Sequence, residues 1–299
     1  PGVMDRLGFG YETVAARNPG IVFLSISGVG PVGPYAKKRV YDPTIQSLTG
    51  FTDIQADPIT RRPKMVRTLV ADKTTAIYAA QAVTAALFAR TRTGRGQHLQ
   101  VSMLDVMMSF LWPEGMAPFA VVAEDRRDAP NTPHDMIFET SDGYVTFGTV
   151  SDKEWAGLCK ALKRPELIAD ERFATGAQRS ANRQVRMETV EAAIAGFSSD
   201  EIIARLEAND VPCMKVKTRR EALDDPQVIA NEIVVEMDQP GVGRMRQARP
   251  AALFGDTPSR RPRPAPGLGQ HSREILTELG FENTEVAAFI DRGVVGAAS

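Results

Sequence analysis

The chain has too few cysteines for a disulfide framework: two in 299 residues. Cys159 and Cys213 have no cysteine or histidine near them at metal-ligand spacing, so both read as free thiols of a reducing compartment, and no metal site is expected. Long apolar runs are missing too. None approaches the ~20 residues of a membrane span, and no basic-then-apolar signal segment opens the sequence. Nor is there an excess of either charge. The 36 Lys and Arg nearly balance 37 Asp and Glu, which gives no reason to expect nucleic acid as a partner. Short basic runs at Lys37-Lys38-Arg39, Arg61-Arg62 and Arg260-Arg261 read as solvated surface. Only three histidines occur, His98, His134 and His271. The initiator methionine is absent: the chain opens Pro1-Gly2-Val3 and reaches an apolar run by Ile21, as a fragment of a longer protein would. The expectation is a cytoplasmic protein with no membrane partner. Its composition, 43% hydrophobic and 24% charged, suits about two domains.

What is present reads first as alternating strands and helices. Tyr11 to Ala16 has a helical pattern, closed by the turn Asn18-Pro19-Gly20. Residues 21–26 form a short continuous apolar run that suits a strand buried on both faces. Asp42-Pro43 reads as an N-cap followed by proline at the first helical position, with Gly50 as the stop. Val66 to Val70 looks strand-like. Asp72 leads into a helix of about five turns that ends near Arg90 and Arg92 before Gly94. Its alanines, with Ile77, Val83 and Leu87, cover most of the circumference, which predicts burial in a sizeable core. Leu99 to Met103 predicts a strand and Leu104 to Phe110 a helix, together a βαβ-like pattern. The polar, proline-bearing stretch Glu124 to Pro133 reads as a linker.

Beyond it, strands are predicted at Tyr144–Thr149, Val211–Val216 and Ile233–Met237. Helices are predicted around Trp155–Leu162 and Val185–Ile194, and up to Glu207 behind the capping-box pattern Ser198-x-x-Glu201. Two short helices, Arg273–Leu279 and Glu285–Ile290, close the chain.

Gly28-Val29-Gly30-Pro31-Val32-Gly33 spells G-x-G-x-x-G directly after a strand. A dinucleotide site needs those glycines to open a helix whose amides receive the pyrophosphate. Pro31 and Pro34 flank the last glycine and no amphipathic helix follows. The segment reads as a glycine-rich turn whose amides could meet phosphate or carbonyl oxygens.

Two carboxylates, Asp42 and Asp72, stand at predicted helix starts. Each reads as an N-cap, and for a lone Asp that is the commoner meaning. The same placement suits a carboxylate nucleophile, because the positive end of the helix dipole favours an anion there. A carboxylate attacking a thioester forms a mixed anhydride and expels thiolate, splitting one exchange into easier steps. Such a step also calls for donors to the oxyanion and shelter from water. Spacing alone does not decide between these readings.

The stretches SISGVGPVGPY, RVYDPTIQSLTG and LVADKTTAIYAAQAVTAALFARTRTGRGQHLQVSML resemble the family III CoA transferases. That family contains formyl-CoA transferase, carnitine CoA-transferase and α-methylacyl-CoA racemase. The likeness continues through ETSDGYVTFG, WAGLCKAL, NDVPCMKV, DDPQ and APGLGQHSREILTELG. It implies that Asp72 is the nucleophile and that Tyr41 and Asp42 are the tyrosine–acid pair beside it. Arg39 would lie near bound CoA, the loop containing Gly28 and Gly30 would line the same cleft, and Lys73 could pair with a CoA phosphate or with Asp72, or point to solvent.

The implied fold is α/β, with a doubly wound Rossmann-like large domain from residues 1–115 and 238–299, a linker at 116–133 and a small α+β domain at 134–237. An interlocked homodimer is implied. So is an N-terminal portion of the family fold before the point matching Pro1. The implied reaction moves CoA from an acyl-CoA to a free carboxylic acid, with both as substrates and no permanently bound cofactor. The alternatives are racemase-like proton transfer and a catalytically incomplete fragment. The racemase branch has histidine where this chain has Tyr41, and a phenol is a poor base at neutral pH. Two departures stand out. Ala76 replaces the usual glycine four residues after the nucleophile, and Asn131-Thr132-Pro133-His134 replaces the glycine-run flap of formyl-CoA transferase. Phe110, Trp112 and Met116 suit either an apolar acyl end or ordinary core packing.

Overall fold

A computed structural model describes residues 1–57, 59–113, 115, 116, 119, 120, 122 and 135–297. Contacts divide the chain into two units, residues 1–135 and 136–299. The linker at Glu124–Pro133 and the segment Asn131 to His134 lie outside the described residues.

The first unit runs α1 (Val3–Arg6), α2 (Tyr11–Arg17), β1 (Val22–Ser27), α3 (Asp42–Leu48), α4 (Phe51–Ile54), α5 (Val70–Thr93), β2 (Gln97–Ser102) and α6 (Met103–Leu111). Strands β1 and β2 pair in parallel, from Val22 opposite Gln97 to Ser27 opposite Ser102. The intervening chain returns through α5, which packs on both strands and on α6. This is the βαβ-like arrangement that the periodicity predicts. Gly94 ends α5 at φ +68°, a left-handed position that glycine adopts without strain, and its N–H closes the helix on Arg90 O at 2.8 Å. Ser102 caps α6 by accepting from Asp105 N at 3.0 Å. Ile45, Ala71 and Met107, from α3, α5 and α6, are fully buried at the centre of a small core, flanked by Val29, Val40 and Phe51.

Two expectations are corrected here. The stretch Val66–Val70 is not a strand: Val70 begins α5, and the segment before it is held by a side chain instead of a neighbouring strand. Helix α5 is not buried all round. Only Ala71, Thr75, Ala79 and Ala86 are buried, while Ile77 is 70% and Phe88 61% exposed. The sheet beneath it has two strands, so α3, β1, β2 and α6 cover one side of the helix and leave its other apolar side open.

The second unit contains an antiparallel sheet of β3 (Ile137–Glu139), β4 (Tyr144–Phe147) and β5 (Cys213–Lys215), with β4 central. Between β4 and β5 run α7 (Asp152–Ala161), a 3-10 turn at Pro165–Ile168, α8 (Gly176–Ala181), α9 (Arg183–Ile194) and α10 (Ser199–Glu207). Phe138, Phe147, Trp155, Leu158, Ile194, Ile202 and Leu206 form its core. The Arg179 guanidinium is buried against Trp155, where it pairs with Asp152 and donates to Phe173 O. Ser198 caps α10 through Glu201 N, but the Glu201 carboxylate lies 3.6 Å from Lys163 Nζ, so the reciprocal half of the predicted capping box is not made. The chain continues with α11 (Arg219–Leu223), α12 (Pro226–Ala230), a hairpin of β6 (Val234–Gln239) and β7 (Gly243–Ala248), and the pair α13 (Ser272–Glu278) and α14 (Asn283–Asp291).

Candidate functional site

The site is built from α3 and the first turn of α5. Helix α3 starts at Asp42, with Tyr41 in extended conformation just before it and Thr44 Oγ1 accepting from Tyr41 N at 3.0 Å. Asp42 is 2% exposed and does not cap its own helix. Its Oδ2 accepts from Ala71 N at 2.7 Å and Asp72 N at 3.1 Å, so it caps α5 from 29 and 30 residues away. Val70 N and Lys73 N are taken by Thr68 O and Leu69 O. Every amide of the first turn of α5 therefore has an acceptor, and an oxyanion would need donors from elsewhere.

Asp72 is the third residue of α5, not its cap. Its carboxylate is exposed and has no hydrogen-bond or ion-pair partner among the described residues. That removes the capping reading for Asp72 and leaves its oxygens uncommitted. Lys73, also exposed, donates to Thr68 Oγ1 at 2.9 Å and not to Asp72. Tyr41 is 70% exposed, and Arg39 lies in the exposed loop before it. Asp42 thus joins the backbone of Asp72 to α3, whereas Tyr41, Arg39 and Lys73 lie near that junction in sequence with their heads in solvent.

The glycine-rich loop opens no helix, as the two prolines predict. A side chain at Gly28 would strike Val40, so glycine there allows the loop to close on the segment leading into α3. Gly28 O accepts from Leu104 N at 3.0 Å, and buried Gly30 donates its N–H to Ser27 Oγ at 3.1 Å. Loop and helix enclose a hollow of about 230 Å³ lined by Val29, Tyr35, Lys38, Val40, Thr44 and Leu48, among others. Farther along, Phe110 and Trp112 are exposed and Met116 half-buried, so core packing does not account for the first two.

Gln46 is the residue that motif reading missed. It is 1% exposed on α3. Its Nε2 donates to Asp42 Oδ1 at 2.6 Å and to Val66 O at 3.2 Å, while its Oε1 accepts from Val66 N at 3.1 Å. The available signal was its spacing, four residues after Asp42, which puts the two on one helix face.

The family model for CoA-transferase family III matches residues 1–272. The chain belongs to CoA-transferase family III. It is similar to an acyl-CoA transferase of Fusarium pseudograminearum, with 30% identity across 99% of this chain and 66% of that protein. It is 28% identical to the succinyl-CoA:glutarate CoA-transferase of Homo sapiens, covering 99% of this chain and 68% of the relative. A formyl-CoA:oxalate CoA-transferase of Escherichia coli is 27% identical over 96% of this chain and 75% of its own. The chain thus spans about two thirds to three quarters of the length of these curated relatives. Among solved structures, a CAIB/BAIF family protein from Brucella suis superposes with a TM-score of 0.74 at 32% identity, over 93% of this chain and 73% of the other. Rv3272 from Mycobacterium tuberculosis superposes with a TM-score of 0.76 at 26% identity, over 89% and 72%. The family's mixed α/β fold is therefore shared. No helix among the described residues is long and apolar enough to cross a membrane. No cluster of three His, Cys, Asp or Glu among them could hold a metal ion.

Proposed function

We propose that this protein is a CoA transferase that moves CoA from an acyl-CoA to a free carboxylic acid, with Asp72 as nucleophile. The observation that carries the reading is the exposed Asp72 carboxylate, uncommitted among the described residues, on a helix turn of which Asp42 already holds two amides. An Asp72 oxygen attacks the thioester carbonyl, the C–S bond breaks, and CoA leaves as thiolate. The thiolate then attacks the aspartyl carbonyl of the mixed anhydride, giving aspartyl-CoA and the free donor acid. The acceptor carboxylate attacks that thioester and again expels CoA thiolate, which takes the acyl group from the second anhydride and regenerates Asp72.

In this reading Arg39 and Lys73 supply cationic heads for CoA phosphates, and the Gly28–Gly30 loop borders the CoA cleft. Tyr41 stands where the racemase branch carries its histidine base, which favours transfer of CoA over transfer of an α-proton. The proposal includes the doubly wound large domain of residues 1–115 and 238–299, the small domain at 134–237, an interlocked homodimer and a cytoplasmic setting. Several relatives are named for succinyl-CoA or succinate and for dicarboxylates such as glutarate and D-citramalate. Succinyl-CoA with a panel of dicarboxylic acceptors is therefore the first assay.

The test is covalent trapping. The protein is incubated with succinyl-CoA without acceptor, then treated with borohydride or hydroxylamine, and the peptide containing Asp72 is examined by mass spectrometry. The expected result is reduction to the alcohol or conversion to the hydroxamate at Asp72, absent in Asp72→Ala. An unmodified peptide together with undiminished transfer in Asp72→Ala would overturn the mechanism. Solvent deuterium entering the α-carbon with no acyl exchange would establish the racemase reading instead.

A further inference from the structure

Gln46 makes an arrangement of hydrogen bonds with only one workable polarity. Its carboxamide faces the backbone of Val66 as a neighbouring strand would, giving one N–H and taking another: Nε2 to Val66 O at 3.2 Å, and Val66 N to Oε1 at 3.1 Å. The other Nε2 hydrogen goes to Asp42 Oδ1 at 2.6 Å. Turning the amide over would set Oε1 against a carboxylate oxygen and the NH₂ group against the Val66 N–H, so the network dictates the orientation. Asp42 Oδ2 in turn accepts from Asp72 N at 3.1 Å. An unbroken chain of hydrogen bonds thus runs from Val66 through Gln46 and Asp42 to the backbone of Asp72. It grips the segment leading into α5 at both ends.

We infer that Gln46 is a positioning residue, which through Asp42 fixes where the Asp72 carboxylate is presented to the thioester. Asp42 belongs to the same device: its carboxylate is committed to backbone amides and acts on the reaction through the placement of Asp72. The inference rests on the reading of Asp72 as nucleophile. A buried glutamine that served only to fill space could be replaced by methionine, which has similar length and no donor. A glutamine that serves by polarity could not.

The test uses Gln46→Met and Gln46→Glu in the full chain, with transfer kinetics and trapping at Asp72 as readouts. Gln46→Met is expected to lower kcat by about 10²-fold with KM nearly unchanged, since small misplacement of a reacting group costs on that order. Gln46→Glu keeps the shape but sets a second carboxylate against Asp42 when ionised. When protonated, it restores a donor to Asp42 and an acceptor to Val66 N. Burial and the Asp42 charge both favour the protonated form. The other charged groups on the surrounding elements are Asp53 on α4, Asp57, Arg61, Arg62, Lys64 and Arg67 in the segment before α5, Asp72, Lys73, Arg90 and Arg92 on α5, and Asp105 on α6. All are intermediate or exposed, whereas Asp42 and Gln46 are buried. The ratio of Gln46→Glu to native kcat should therefore rise at least tenfold as pH falls from about 8 to about 6. Because that recovery is read within a single variant, Gln46→Glu decides the matter if Gln46→Met does not fold. A pH-independent ratio, or Gln46→Met retaining kcat within about twofold, overturns the inference when the native protein is trapped at Asp72. Failure to trap the native protein instead overturns the nucleophile reading on which it rests.

Discussion

Removing the Asp42 carboxylate should weaken the first unit and loosen one turn of one helix. In Asp42→Ala the amides of Ala71 and Asp72 lose their acceptor, and Gln46 Nε2 loses its shortest bond while keeping Val66 O. Loss of a helix cap costs ~0.5–2 kcal/mol, and each buried donor left unsatisfied costs ~1–3 kcal/mol. Against this, relief from burying a charge returns part of the loss. The expected net destabilisation is about 2–4 kcal/mol. Urea denaturation followed by a probe in the first unit should show a lower midpoint with unchanged slope. Hydrogen exchange should quicken most at Ala71 and Asp72, with the alanine-rich body of α5 much less affected. Asp42→Asn, which keeps an acceptor oxygen for those amides, should lose less. A loss under about 0.5 kcal/mol, or exchange unchanged at Ala71 and Asp72, would refute the claim that Asp42 holds this turn.

Other expectations concern single groups. Thr75 Oγ1 is buried without a partner among the described residues, so Thr75→Val should be neutral or stabilising by about 1 kcal/mol in the same denaturation assay. The Asp142 carboxyl is held below the usual carboxylate range, first by the Ser199 amide and then by the Ser199 hydroxyl, with Ser199 Oγ and N each 2.7 Å from Asp142 Oδ1. Its contribution to stability is complete above the unfolded value near pH 4 and fades as pH falls through the lower folded value, so Asp142→Asn should flatten acid unfolding of the second unit in that window. Cys159 is fully buried and its thiol is pushed up to about 11 by burial, while Cys213 is half-buried, its thiol also raised by burial. A thiol reagent at pH 8 should therefore label Cys213 first and Cys159 only on unfolding.

Much of the chain could be read before its structure was known, for local reasons. The apolar run of β1, the alanine-rich body and Gly94 stop of α5, and the alternation in β2 specify themselves within a few residues of sequence. Other features depend on distant partners. Val66 to Val70 has strand-like composition, but its backbone pairs with the Gln46 amide instead of a strand, and no local pattern reveals that. Strand β7 was missed because its six residues are all exposed and carry two arginines, although Gly241 in the turn before it and Gly243 at its start both have positive φ. For the candidate site, the two aspartates could be found, but that one of them caps the helix of the other could not. Each looks like the cap of its own helix, whereas Asp42 caps the helix of Asp72.

That exchange has a consequence for how the helix is assembled. The body of α5 is built from contacts within a few residues and can form as fast as any helix. Its first turn is finished only when a carboxylate 30 residues upstream arrives, so this turn has the contact order of a tertiary structure rather than of a helix. An excised peptide covering residues 70–93 should therefore be helical through its alanines and frayed at Asp72. The same turn should be among the last parts of its unit to become protected during refolding.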